Sequence, residues 1–251
     1  MRLPCQSYEL AQSLKRMAML NLATKFAPVQ RSFELAVEAG FHCAELWTDA
    51  AILANWRAVV ELAGRFPLRY VVHFPNRKDL PIELMADCVK LYEGLDCRAM
   101  VIHQPHFDVY ADALQRLKPD IVLAIENHRL TPEKLADWFA RTEYLTLDVE
   151  HVWKFTLGSP PLEELWETLD PHLKRHGHKL RHVHLPGYCP GYDEHRPMYC
   201  NRDFVHGMFD RLDKLQFAGL IVSEIEVEFQ TPNDLRMDVL LFDTWHQRQA
   251  R

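Results

Sequence analysis

The chain has 251 residues, a length that one α/β barrel accounts for without a second domain. Apolar residues make up 48% and charged residues 25%, the balance of a globular protein able to bury a sizeable core. The formal net charge of −6 argues against a broad nucleic-acid footprint, and no run approaches the ~20 apolar residues of a membrane-spanning helix. Six cysteines (Cys5, Cys43, Cys88, Cys97, Cys189, Cys200) show neither CxxC pairing nor framework spacing, so reduced thiols and a cytoplasmic location are expected.

Strand-like and helix-like patterns alternate along the whole chain. The segment LKRMAMLNLATKFA places basic residues before a short apolar stretch, as a signal peptide does. The apolar run is short and a polar, helix-like segment precedes the basic pair, so it reads instead as the first strand, at 17–23. Residues 1–16 are then an N-terminal extension packed on the domain. Further strands are expected at 42–47, 69–74, 99–104, 121–126, 144–149, 180–185 and 220–227, as short apolar runs with β-branched or aromatic content. Helical patterns fall near 28–39, 50–64, 82–93, 108–117, 132–141, 161–175, 202–216 and 232–247. Thr131-Pro132-Glu133 and Thr231-Pro232-Asn233 each put a capping hydroxyl before a proline at the first helical position, and Gly40 suits a helix C-terminus. Eight strand–helix repeats without a composition break predict one (β/α)8 TIM barrel over 1–251. The first strand lacks the glycine-rich phosphate loop of a doubly wound sheet. The longest irregular segment, Pro186 to Asn201, carries Asp193, His195 and Arg196, and long loops inside compact domains are commonly functional.

Six of the eight predicted strands end in a residue able to bind a metal: His73, His103, Glu126, Asp148 (with His151 just beyond), His184 and Glu224. Barrel chemistry sits at the carboxyl ends of the strands, so these side chains are expected to converge. Any one such His is ordinarily a hydrogen-bonded structural residue; the recurrence at successive strand ends is the signal. Alternation puts Glu126 on a face with Val122 and Ala124, and Glu224 with Leu220 and Val222. Glu226 and Glu228 share the parity of Glu224, which is preferred because it ends the run LIVSE. A Glu126, Asp148, His184, Glu224 quartet would hold one divalent ion, Mn, Zn, Co or Mg, and leave room for substrate oxygens. His73, His103, His151 and the Asp193-Glu194-His195 triplet supply donors for one or two further ions. Trp47, Phe74, Trp153 and Tyr188, just beyond strand ends, are candidates to wall a pocket over these side chains.

The ordered segments AELW, HFP, VIHQP, AIEN, LDVEH, HVHLPG, DEH and SEIE resemble the xylose-isomerase-like TIM barrels, which include sugar isomerases and epimerases and endonuclease IV-type nucleases. The resemblance covers essentially the whole chain as strand-end motifs. In the isomerase branch it implies one metal on Glu126, Asp148, His184 and Glu224, with Glu126 and Glu224 as acid and base and Arg196 against substrate hydroxyls. In the endonuclease branch it implies three zinc ions on His73, His103, Glu126, Asp148, His151, His184, Asp193, His195 and Glu224. The chain departs from the nuclease pattern: NHRLTPEK stands where a Thr-Ala-Gly-Gln-Gly-like segment is usual, FPNRKDL replaces an asparagine-rich segment, and the surface is acidic, whereas DNA binding favours basic groups. The expected function is a metal-dependent isomerase or epimerase of a sugar or related hydroxy-carbonyl compound. His73, His103, Trp47, Trp153 and Arg196 would contact the substrate. The alternative is a multinuclear zinc phosphoesterase, and a barrel that has lost catalysis is a third reading, disfavoured by the intact ligand set. The expected partner is a small molecule, with no membrane and no nucleic acid; a homo-oligomer is compatible with the sequence.

Overall fold

Eight parallel strands pair in chain order and close on themselves: β1 (Asn21–Phe26), β2 (Cys43–Trp47), β3 (Arg69–His73), β4 (Met100–His103), β5 (Leu123–Glu126), β6 (Leu145–Asp148), β7 (Leu180–His184) and β8 (Leu220–Ser223). Closure is made by β1 against β8, with Asn21 opposite Leu220 and Ala23 opposite Val222. A computed structural model describes residues 20–249 apart from Lys78, Asp193 and Glu194. The expected (β/α)8 barrel is therefore the observed one; the proposed packing of residues 1–16 lies outside the described residues.

Helices ring the strands, and local chemistry sets their ends. Thr131 Oγ1 accepts from Lys134 N to cap Pro132–Arg141, and Thr231 Oγ1 accepts from Asp234 N at the start of Pro232–Gln249. Gly40 ends Gln30–Ala39 in the left-handed conformation, φ 102°, where a side chain would be strained. Phe33, Leu114, Phe139, Leu169 and Phe209 are fully buried on the helices' inner faces. Among the described residues no helix is long and apolar enough to cross a membrane, and the described cysteines are free thiols.

Three boundaries differ from expectation. The first strand runs to Phe26 rather than ending at 23, because Lys25 points into the barrel, where Glu224 and Glu45 neutralise it. The helix expected over 50–64 breaks at Asn55 into Ala50–Ala54 and Trp56–Ala63, and Asn55 Nδ2 donates to Ala51 O at the break. The eighth strand stops at Ser223 instead of 227; Glu224 lies just past it, and a 3-10 turn forms at Val227–Phe229.

Two contacts beneath the carboxyl rim are sensitive to change. Gly187 N donates to Arg196 O at 2.7 Å, and a Cβ at 187 would collide with the carbonyl of Pro197. Gly187→Ala is expected to destabilise the protein by about 1–3 kcal/mol, read by urea denaturation. Asp238, on the last helix, is buried; its Oδ2 accepts from Ser223 Oγ while Oδ1 has no hydrogen-bond partner. Burial pushes its carboxyl from 3.8 up to about 7 against the lowering effect of the Ser223 hydroxyl. The folded state therefore holds this proton more tightly than the unfolded chain, so stability is lost as pH rises from about 4 to 7. Asp238→Asn should remove this loss: the stability difference between variant and wild type should move in the variant's favour between pH 5 and 7.5. A pH-independent difference would show that Asp238 does not titrate in this window.

Candidate metal centre

The inner face of the barrel brings charged residues to one level at the carboxyl rim. Lys25 comes from β1, Glu45 from β2, His73 from β3, His103 from β4, Glu126 from β5, Asp148 from β6 and His184 from β7, with Glu224 immediately after β8. Glu126 and His73 are buried, and Glu45, Asp148 and His184 are completely so. Three groups have ligand atoms close enough to share an ion: Glu126, Asp148, His184 and Glu224; His73, His103 and Glu126; and Asp148, His151 and His195. Glu126 belongs to the first and second, Asp148 to the first and third. Asp193 lies outside the described residues.

Hydrogen bonding on one side of each ring settles what the other side offers. His184 Nε2 donates to Glu45 Oε2 at 3.1 Å, so the neutral imidazole directs the lone pair of Nδ1 at Glu224 Oε2 (2.7 Å) and Glu126 Oε1 (3.3 Å). His73 Nδ1 donates to the Phe74 carbonyl at 2.8 Å, which turns the Nε2 lone pair toward Glu126 Oε2 at 3.1 Å. His103 Nε2 lies 3.0 Å from the same oxygen. Asp148 is held at its backbone by both amide atoms of Asn127, and Asp148 Oδ1 accepts from His151 N. Lone pairs aimed at carboxylates repel unless a cation lies between them. His184 Nδ1, Glu224 Oε2 and Asp148 Oδ2, all of the quartet, are buried without a hydrogen-bond partner among the described residues. Such orphaned acceptors, with oxygen and imidazole donors and no thiolate, fit a divalent transition ion.

Charge gives the same result. Four carboxylates (Glu45, Glu126, Asp148, Glu224) surround one lysine, an imbalance that is costly to bury. Without an ion, a proton substitutes: burial alone would lower the His184 pKa, but Glu45, Glu224 and Glu126 together raise it well above 6.5. Glu126 and Glu224 are held well below the usual carboxylate range, Glu126 by His103 and His184 and Glu224 by Lys25 and His184, each overcoming burial. Glu45 is lowered to about 2, burial being outweighed by His184 and Lys25. The Glu45–His184 pair thus has the form of a carboxylate orienting a metal-binding imidazole.

The cavity above these groups has a volume of about 280 Å³ and is walled by Trp47, Asn76, His128, Arg129 and Phe155 around the ligand side chains. Trp47 is where the sequence suggested. Trp153 is not: its ring is buried between Tyr188 and Phe204, its Nε1 donates to Pro160 O, and it does not reach the cavity. The cause is a π-helical turn at Val152–Thr156, which brings Phe155 to the cavity in its place. Arg196 stacks over Tyr192 of its own loop and over Phe229 of the turn after β8, and does not line the cavity. Phe74 and Tyr188 are packing residues as well. Glu224, not Glu226, enters the quartet; Glu226 is half exposed at the rim. Glu226 N donates to His195 O, and His195 N donates to the Glu150 carboxylate, so the left-handed residue His195 (φ 57°) is gripped on both sides.

Sequence reasoning missed Lys25, Glu45 and His128. The first two carried a signal, since NLATKF and CAELW each place a full charge on the inward parity of an apolar strand. His128, stacked 5.5 Å from His103 and edge-on 5.0 Å from His151, carried none beyond following Glu126 in a loop.

Comparison with known proteins follows the barrel closely. A D-tagatose 3-epimerase-like protein superposes with TM-score 0.67 at 17% identity, over 91% of this chain and 97% of that one. D-allulose 3-epimerase from a Methylomonas species, in complex with D-allulose, gives 0.59 at 13% identity, over 90% and 96%. L-ribulose 3-epimerase gives 0.54 at 13%, over 92% and 97%. What is shared is the (β/α)8 barrel fold. At these identities the likeness extends to the fold alone, and phosphoribosylanthranilate isomerase from Thermotoga maritima also superposes, at 0.51. No protein-family model matches the chain, and no curated protein matches it by sequence.

The buried Glu45 carboxylate gives a direct check. Glu45→Gln is expected to weaken divalent-ion binding by about 10- to 100-fold, measured by competition with a chromophoric chelator. Unchanged affinity would mean that the tautomer of His184 is set by something else.

Proposed function

We propose that the protein is a divalent-metal-dependent isomerase or epimerase of a small sugar or sugar-like hydroxy-carbonyl compound. The observation that supports this most is the quartet itself: two carboxylates, Glu126 and Glu224, flank orphaned acceptors at the floor of a small cavity. The sugar 3-epimerases that share the fold make a carbohydrate the natural class. Glu126, Asp148, His184 and Glu224 would hold the ion, whose Lewis acidity would acidify the hydrogen on the carbon beside a substrate carbonyl. Both glutamates are ionised at neutral pH and so are ready to accept a proton. One would take the proton from carbon; the other, on another side of the barrel, would first take up a proton from solvent and then return it to the opposite face of that carbon. Lys25 grips Glu224 Oε1 and leaves Oε2 facing the quartet. Trp47, His73 and His103 line the cavity, where they would contact the substrate.

The test is deuterium uptake from D2O at the carbon beside the carbonyl of D-tagatose, D-allulose and L-ribulose, in the presence of Mn²⁺ or Co²⁺. Glu126→Gln and Glu224→Gln should each slow exchange by about 100-fold or more while the variants keep the wild-type circular dichroism. Full exchange in either variant removes that residue from proton transfer, and no exchange with any of the three ketoses removes the proposal for those substrates.

A second reading has its own observation. The quartet shares Glu126 and Asp148 with two further ligand groups, the arrangement a multinuclear phosphoesterase needs to stabilise both oxygens of a displacement at phosphorus. Metal content per chain separates the two: about one ion supports the isomerase, while two or three, with loss on His195→Ala and hydrolysis of bis(p-nitrophenyl) phosphate, support the esterase.

A further inference from the structure

At the end of the barrel opposite the metal ligands lies a second cavity, of about 610 Å³, larger than the one over the centre. It is walled by residues at the beginnings of strands and reaches inward to Val71 and His182. Two residues before the rim side chains of β3 and β7, on the same inward face, lie Val71 and His182, and both line the cavity. The large polar side chain at this level is His182, 3% exposed, with Nδ1 3.5 Å from Thr146 Oγ1, and its ring lines the cavity.

The rim is basic. Arg69 opens β3, Arg98 precedes β4 and Arg181 follows the first residue of β7, and all three line the cavity. Among the described residues these three form no ion pair. Arg69 donates to Asn21 Oδ1 and Cys43 Sγ, while Arg181 donates to the carbonyls of His178 and Leu180 and lies over Tyr144. Asp96 is the one described acid on the lining. In a chain of net charge −6, three arginines without carboxylates around an apolar-floored cavity are a counter-charge in search of an anion.

We propose that this amino-terminal mouth is a second ligand site, taking a small organic anion whose carboxylate or phosphate lies among Arg69, Arg98 and Arg181 and whose apolar body enters the barrel toward His182. The volume lies within the range of small-molecule sites. The site depends on neither reading of the metal centre. β1 begins on the same rim, so the chain before Leu20 joins the barrel here, and the test must use the full chain.

The experiment is calorimetric titration of the full-length protein with phenyl phosphate, with benzoate, and with benzyl alcohol as the neutral control. One saturable site for an anion is expected, with the tighter of the two anions identifying the oxyanion. Arg98→Gln and Arg181→Gln should each weaken it about tenfold, whereas His103→Ala, at the other end of the barrel, should leave it unchanged. In the wild type, the bound anion should protect Arg98 and Arg181 from phenylglyoxal, read by mass spectrometry, a measurement that needs no variant to fold. The proposal is overturned if neither anion binds the full chain, as it would be were the mouth filled by the chain's own residues. Equal binding of benzyl alcohol, or loss in His103→Ala with the arginine variants unaffected, overturns it too.

Discussion

The hydrogen bond from His184 Nε2 to Glu45 Oε2 joins two fully buried side chains at the centre of the carboxyl rim. By occupying Nε2 it commits Nδ1 to Glu126 and Glu224, and by occupying Glu45 it leaves Lys25 to bridge Glu45 and Glu224. The four residues Lys25, Glu45, His184 and Glu224 come from or adjoin β1, β2, β7 and β8, which are neighbours only because β1 pairs with β8. Barrel closure is thus what assembles the platform. A barrel opened between β1 and β8 would separate Lys25 from Glu224 and leave buried charges of one sign facing each other.

On the other side of the platform, two carboxylates are shared. Glu126 faces His184 with one oxygen and His73 and His103 with the other, while Asp148 faces both the quartet and His151. Shared carboxylates couple whatever occupies the three ligand groups, since a cation in one changes the field in the next. The strand-7 loop enters this network through the Glu150 carboxylate, which burial and the neighbouring Asp148 raise to about 7.

The two ends of the barrel carry opposite electrostatic character. The carboxyl end collects acids and imidazoles around small spaces sized for ions; the amino end presents arginines around a larger, apolar-floored space. His182 and His184, two residues apart on β7, belong one to each.

The barrel and the convergence of most of the rim side chains were legible in the sequence because both rest on local rules. Strand and helix periods are short, and a residue at the carboxyl end of an inward-facing strand position can point nowhere but over the barrel axis. His73, His103, Glu126, Asp148 and His184 satisfied that rule, and Glu224 nearly so. Lys25 and Glu45 did not stand out because a charge within an apolar run is unfavourable by local criteria; its partners lie on β7 and β8, about 140 to 200 residues away. Trp153 and Phe155 differ only in which side of a π-helical turn they occupy, a rotation that residue type does not specify. The amino acid order alone determined the strand count, the rim and the chemistry of its donors. The closed tertiary structure decided the tautomers, the charge balance and the basic cavity at the far end, because each depends on distances between strands that meet only when β8 returns to β1.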